Sequence, residues 1–201
     1  MASAYEKIVK DNLLKLYSQP TEDLESKLLA VRKNNQFFFE AFGQPCQLSP
    51  DGIMLGDSPQ EGVVGILISL YAQNTTKDAC LLEPLKAYKD FPNSMPYAGA
   101  FVSHTQQVLV PKVEQIKSNQ QKIWSAMNGM DAGSIASGDY SFVIYPLPKI
   151  ALCYIIYEAD DDFPASVTCL FSNNANKFLP MDALADVGEY TSKRILELLS
   201  D

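Results

Sequence analysis

Apolar and polar positions follow two periods along the chain, and each change of period marks an element. Tyr5, Ile8, Val9, Asn12, Leu13 and Leu16 recur at helical spacing opposite Lys7, Lys10 and Lys15, which predicts an amphipathic opening helix ended by Gln19-Pro20. Thr21, Glu22 and Asp23 supply a cap and first-turn carboxylates for a second helix, with Leu24, Leu28 and Val31 on one face. The two are expected to form an antiparallel lead-in over residues 1–34. From Gln36 the pattern shortens to Phe37-Phe38-Phe39, Phe42-Gly43-Gln44, Cys46-Gln47-Leu48 and Ile53-Met54-Leu55, with Pro50-Asp51-Gly52 as a turn. Short apolar runs punctuated by Gly and Asp-Gly predict a meander of strands.

Helical spacing returns at Val63, Ile66, Leu67, Leu70 and Tyr71, which predicts a helix over 61–73, although the β-branched start leaves a strand open. Pro84, Pro92 and Pro96 fix φ and remove donors, so residues 83–99 are expected to form an irregular loop. Leu109, Val113, Ile116, Ile123, Trp124 and Met127 then line a long helix that a left-handed Gly129 would end, with Pro111 in its first turn or at a kink. Residues 130–138 carry Gly133, Ser134, Ser137 and Gly138, the composition of a flexible linker.

Beyond the linker, 140–145 and 150–157 are β-rich runs around Pro146-Leu147-Pro148-Lys149, which predicts a hairpin. A third strand is expected at 166–171. Leu184, Val187, Thr191, Ile195 and Leu198 line a closing helix over 181–199. The fold class predicted is α+β: a mixed, mainly antiparallel sheet of about five or six strands covered by helices, with helices at both ends, in one domain over 1–201.

Charge narrows the partners. The 201 residues hold 16 Lys plus Arg against 24 Asp plus Glu, a formal charge of −8, which repels polyphosphates and anionic membranes. Nucleic acid is therefore not expected as a partner. No window offers the ~20 apolar residues of a membrane span, and the start Met1-Ala2-Ser3-Ala4-Tyr5-Glu6-Lys7 lacks the order of a signal peptide, so a cytoplasmic location is expected. Cys46, Cys80, Cys153 and Cys169 form no C-x-x-C pair and are expected to be reduced thiols. Asn74-Thr75-Thr76 is read as a turn.

His104 is the one histidine, able in principle to serve as a general base or as an axial ligand to a haem or corrinoid, with Met95 and Tyr97 packing the ring. Between Ser103 and Thr105 it can equally be an ordinary helix-entry residue. Glu158, Asp160, Asp161 and Asp162 hold enough oxygen for a hard cation, but they lack EF-hand spacing, and a solvated strand end explains the run more simply. No nucleophile elbow or phosphate loop occurs. The aromatic segment 91–104, with Met95, Tyr97, Phe101 and His104, is the candidate ligand-binding surface, and core sealing is its rival explanation.

Asp139-Tyr140-Ser141-Phe142, the Pro146-Leu147-Pro148-Lys149 turn, Tyr154, the acidic run 158–162, Phe163-Pro164-Ala165, Leu170-Phe171 and the closing helix together resemble an uncharacterised family. Ser94-Met95-Pro96-Tyr97 and Leu109-Val110-Pro111 fit the same pattern. It is a domain of unknown function found mainly in anaerobic bacteria and archaea, and the resemblance spans nearly the whole chain. It implies a single domain and an anaerobic source. Some members carry an added N-terminal cysteine cluster for an iron–sulfur centre, which is absent here, so no redox role is carried over and no cofactor is assigned.

The expectation is a non-catalytic binding or accessory domain that contacts a protein or small-molecule ligand through 91–104. The alternative is a cofactor-binding protein or enzyme linked to anaerobic one-carbon, corrinoid or tetrapyrrole metabolism. Self-association into a homo-oligomer through an uncovered sheet edge is a third reading.

Overall fold

The computed structural model describes residues 3–200. Met1 and Ala2, used in the leader argument, and Asp201 lie outside the described residues. Helix α1 (Ala4–Tyr17) begins where Ser3 Oγ accepts the Glu6 N–H at 3.1 Å, and it buries Val9, Leu13 and Leu16. Its neighbour is not the second helix, as expected, but α3 (Val63–Asn74), to which Asn12 is tied. Asn12 Nδ2 donates to Ser69 Oγ at 2.9 Å, and Gln73 Nε2 donates to Asn12 O at 2.7 Å. The second helix is a short α2 (Leu24–Leu28), stopped by Leu29 in the left-handed region at φ 54°. Val31 therefore falls on a strand and is exposed, because the chain has already turned out of the helix.

The meander forms as the turn chemistry predicts. Strands β1 (Val31–Lys33), β2 (Gln36–Ala41), β3 (Gln44–Ser49), β4 (Gly52–Leu55) and β5 (Ser58–Pro59) pair in chain order, all antiparallel. Alternation along β2 and β4 buries Phe37, Phe39, Ala41, Ile53 and Leu55 on one face.

A second sheet holds β6 (Lys86–Ala87), β7 (Met130–Asp131), β8 (Tyr140–Leu147), β9 (Ile150–Tyr157) and β10 (Ser166–Phe171) in the order β6-β10-β9-β8-β7, again antiparallel throughout. The chain is α+β, with helices near both ends and strands divided between two sheets. The sheets meet where the Phe42 N–H donates to Pro146 O at 2.7 Å. One contiguous buried cluster draws on both of them and on α1, α3 and the closing helix.

Both faces of the second sheet are covered, and by different material. Phe142, Ile144, Leu152, Tyr154 and Ile156 face the helices, while Val143, Ala151 and Cys153 face the other way with Ala132. That outer face is sealed by Cys80, Leu82, Leu85, Ile135 and Ala136. Residues 130–138 are thus packed rather than a free linker. Asp131 pairs with Phe142, Ala132 N–H donates to Ser141 O at 3.0 Å, and Ala132 is fully buried. Small residues there permit close approach to the sheet, a reason that composition alone does not separate from flexibility.

Helical structure also starts earlier than expected. Helix α4 (Met95–Phe101) takes Pro96 in its first turn, where the missing N–H costs nothing, so the irregular stretch ends before it. The path continues through a π turn at Val102–Gln106, a 3-10 stretch at Gln107–Lys112, and helices α5 (Val113–Ser118) and α6 (Gln120–Ala126). Pro111 lacks the N–H that an α-helix would direct at Gln107 O, which accounts for the tighter winding around it. The left-handed residue beyond α6 is Asn128 at φ 51°, not Gly129. Asn tolerates that conformation, while Gly129 is required for close packing: a Cβ there would stand 2.8 Å from Trp124 Cα and 2.9 Å from Ile144 Cγ2. The chain closes on α7 (Met181–Ser200), which buries Leu184, Val187, Thr191, Ile195 and Leu198 along the predicted face.

Candidate functional site

Small residues on α7 bring the α4–π segment close. Gly188 sits where a Cβ would lie 2.5 Å from the Phe101 ring and 2.7 Å from Thr105 Oγ1, so only a bare backbone fits. One turn on, Ser192 Oγ donates to Thr105 O at 2.7 Å. That commits the serine proton, so the Tyr154 hydroxyl is the donor in its 3.0 Å contact with Ser192 Oγ. The buried chain Tyr154, Ser192, Thr105 O thereby pins the π turn to the centre of the sheet. Burial drives the Tyr154 hydroxyl pKa well above its ordinary value, so it remains a neutral donor. Thr105 Oγ1, equally buried, has no hydrogen-bond partner among the described residues.

Beside this segment an aromatic block forms. Phe101 stacks on Tyr88 with ring centroids 4.6 Å apart, and both lie against Phe171. Tyr88 donates its hydroxyl proton to Met181 O at 2.6 Å, tying the block to the start of α7. Over it opens a cleft of about 350 Å³ between the helix, the residues following β6 and the outer edge of β10. Tyr88, Phe101, Val102 and Leu170 give it an apolar lining, with Gln106 and Lys89 as polar groups. A cleft of about 220 Å³ between α1 and the β3–β4 turn carries Glu6, Asp51 and Glu61 on its walls and has no aromatic lining.

The sequence candidates separate in space. Phe101 is 2% exposed and forms a wall of the cleft, whereas Met95 is 73% exposed and Tyr97 39%. His104 lies in the π turn with an exposed side chain, and its Nδ1 meets Glu189 Oε2 on α7 at 2.8 Å. Burial raises the Glu189 pKa, but hydrogen bonds from Lys193 and His104 outweigh it and hold the carboxyl below the usual range. Next to it, burial and then the charges of Glu189 and Asp182 raise Asp186. None of His104, Met95 or Tyr97 lines the cleft.

The acidic run folds into the β9–β10 connection. Asp160 Oδ1 accepts the N–H groups of Asp162 at 2.9 Å and Phe163 at 2.7 Å, while Glu158 pairs with Lys117. Among the described residues no three His, Cys, Asp or Glu side chains are grouped to hold a metal. The four cysteines are free thiols, and burial pushes Cys153 up to about 11 and Cys46 up to about 12.

Sequence reasoning missed Tyr88, Lys89, Gln106 and the β10 residues Thr168, Cys169 and Leu170, the greater part of the cleft, while Val102 fell within the segment 91–104 without being singled out. They come from three distant segments with no common spacing, so no periodic signal marks them. It also missed Lys149, whose place in a proline-flanked turn reads as exposed but which is 1% exposed.

Fold and site together define an α+β protein with an apolar, aromatic-walled cleft between a π-interrupted helix and a sheet edge. The chain belongs to the family described as domain of unknown function (DUF3786), which matches residues 20–194. No curated protein and no solved structure matches it. No helix among the described residues is long and apolar enough to cross a membrane.

Proposed function

We propose that the chain is a non-catalytic binding domain, acting as one unit in the cytoplasm, that holds a mainly apolar ligand in the cleft beside Phe101. The supporting observation is the cleft: apolar walls with few polar groups are the usual form of a ligand site. The π turn beside it fits the same reading, because such turns occur frequently at functional positions. Met95, Tyr97 and His104 lie on the same helical path, outside the cleft, where they would meet a larger partner.

The neutral probe N-phenyl-1-naphthylamine tests this by fluorescence titration. The wild-type chain should bind it, and Ala98→Trp, which fills the cleft from its wall, should weaken binding at least about tenfold, a loss of ~1.4 kcal/mol. Thermal melting of the variant should stay close to wild type. A wild-type chain that leaves the probe dark, or equal binding by the variant, removes the reading.

A further inference from the structure

We propose that the second cleft, between α1 and the β3–β4 turn, binds a small alkylammonium ion, its hydrocarbon chain against the cleft walls and its charged head at the rim. The cleft holds about 220 Å³, and it shares no lining residue with the one beside Phe101. Val9, Leu13 and Ile53 close its base, while half-buried Met54 and exposed Pro59 leave apolar surface at its mouth. Apolar walls with a few polar groups set the orientation of what they hold. The rim fixes the sign of the head group.

Three carboxylates from three segments reach that rim. Glu6, on α1, is already engaged: Lys10 Nζ donates to Glu6 Oε1 at 2.5 Å. Asp51 stands in the β3–β4 turn, which Ser49 Oγ holds by donating to Gly52 O at 3.0 Å. Glu61 follows β5. Met54 pairs with Pro59, and Gln60 N–H donates to Ile53 O at 2.9 Å, so the same register brings Glu61 opposite Gly52 and beside Asp51. The hydrogen bond and charge of Glu6 raise the Lys10 pKa and the charge of Glu61 adds to this, which places Glu61 near the same pair.

Lys10 is the one cation on the walls, against three carboxylates. Among the described residues, neither Asp51 nor Glu61 is in an ion pair. The rim therefore has negative charge to spare at the edge of an apolar hollow. The acids do not close on a metal, since no three His, Cys, Asp or Glu among the described residues are grouped to hold one. An organic ammonium suits them better, because its N–H donors reach separated oxygens while its chain covers the apolar wall. The small volume admits a chain of a few carbons rather than a folded segment of a protein.

The test is an NMR titration of the isotope-labelled full chain with n-hexylammonium chloride, n-hexanol and sodium hexanoate, which share a chain and differ in the head. Hexylammonium should give saturable shifts of the Gly52, Ile53 and Glu61 amides. Hexanol should bind at least about fivefold more weakly, the scale of two exposed ion pairs, and hexanoate should leave these amides in place. Asp51→Asn combined with Glu61→Gln keeps both side-chain shapes and an Asn-Gly turn, and it should reduce hexylammonium to the level of hexanol with thermal melting close to wild type. No saturable shift at these amides, equal binding of hexylammonium and hexanol, or undiminished binding by the double variant overturns the site. Shifts at residues 101–106 in their place overturn it as well, since the ion would then occupy the aromatic cleft.

Discussion

Lys149 sits at the tip of the β8–β9 hairpin, yet its side chain runs inward. Nζ donates to Thr76 O at 2.6 Å, just beyond the end of α3, and lies 5.8 Å from the centroid of the Phe178 ring. A cation near a helix C-terminus is favourable, and the ring face adds to it, which offsets part of the desolvation of the ammonium. Burial nevertheless lowers the Lys149 pKa. Lys149→Ala should destabilise the fold by about 2–5 kcal/mol, because it opens a cavity and strands the Thr76 carbonyl. Lys149→Met, which keeps the stem, should cost less. Urea denaturation at neutral pH measures both, and an alanine variant within about 0.5 kcal/mol of wild type would place this lysine at the surface. The hairpin was readable from the residues, although Pro146 and Leu147 belong to β8 and only Pro148 and Lys149 form the turn. The direction of the lysine was not, because its partner arrives from an element more than seventy positions earlier.

At the level of elements, the decisive contact is between α7 and the α4–π segment. The apolar face of α7 was legible from its period, and so was the hairpin, because alternation and turn residues are local signals. The small residues Gly188 and Ser192 carry no such signal, although one leaves room for Phe101 and Thr105 and the other bonds the Thr105 carbonyl. Pro96 was read as a breaker and Pro111 as a first-turn or kink residue, but Pro96 occupies the first turn of α4 and Pro111 a 3-10 stretch, where a missing donor is tolerated. Gly188→Val should cost about 1–3 kcal/mol, the usual range for overpacking, and should push the π turn away from the sheet. The matching observation is a lowered urea midpoint together with faster hydrogen exchange at residues 101–106. Unchanged exchange there would mean that the contact does not hold the segment.

For the molecule as a whole, buried phenols and thiols dominate the alkaline response. Burial raises Tyr17 to about 12, Cys46 to about 12 and Cys153 to about 11, and it also raises Tyr71, Tyr88, Tyr140, Tyr154 and Cys169. Such groups hold their protons more tightly when folded. Their stabilisation is complete below the unfolded values, 9.0 for the thiols and 10.0 for the phenols, and is lost as pH rises toward the folded ones. Lys149 runs the other way, since its lowered pKa adds stability as pH rises through it, but it is one group against eight. The urea midpoint should therefore hold steady between about pH 7 and 8.5 and fall steeply from about 9 to 11. A midpoint that stays level to pH 11 would contradict the burial of these side chains.

What the sequence determined by itself was whatever depends on neighbours along the chain. Helix and strand periods, the Asp-Gly turn, the closing amphipathic helix and the excess of negative charge follow from local sterics and from counting. The α+β class follows from those. Only the tertiary structure decided that the strands divide into two sheets and that α1 packs on α3. It also showed that the glycine-rich stretch seals a sheet face, and that the cleft is assembled from Tyr88, Phe101 and the edge of β10. The physical reason is the same in each case. Burial and hydrogen-bond satisfaction are settled between segments far apart in the chain, and a spacing rule within one segment carries no record of its partner.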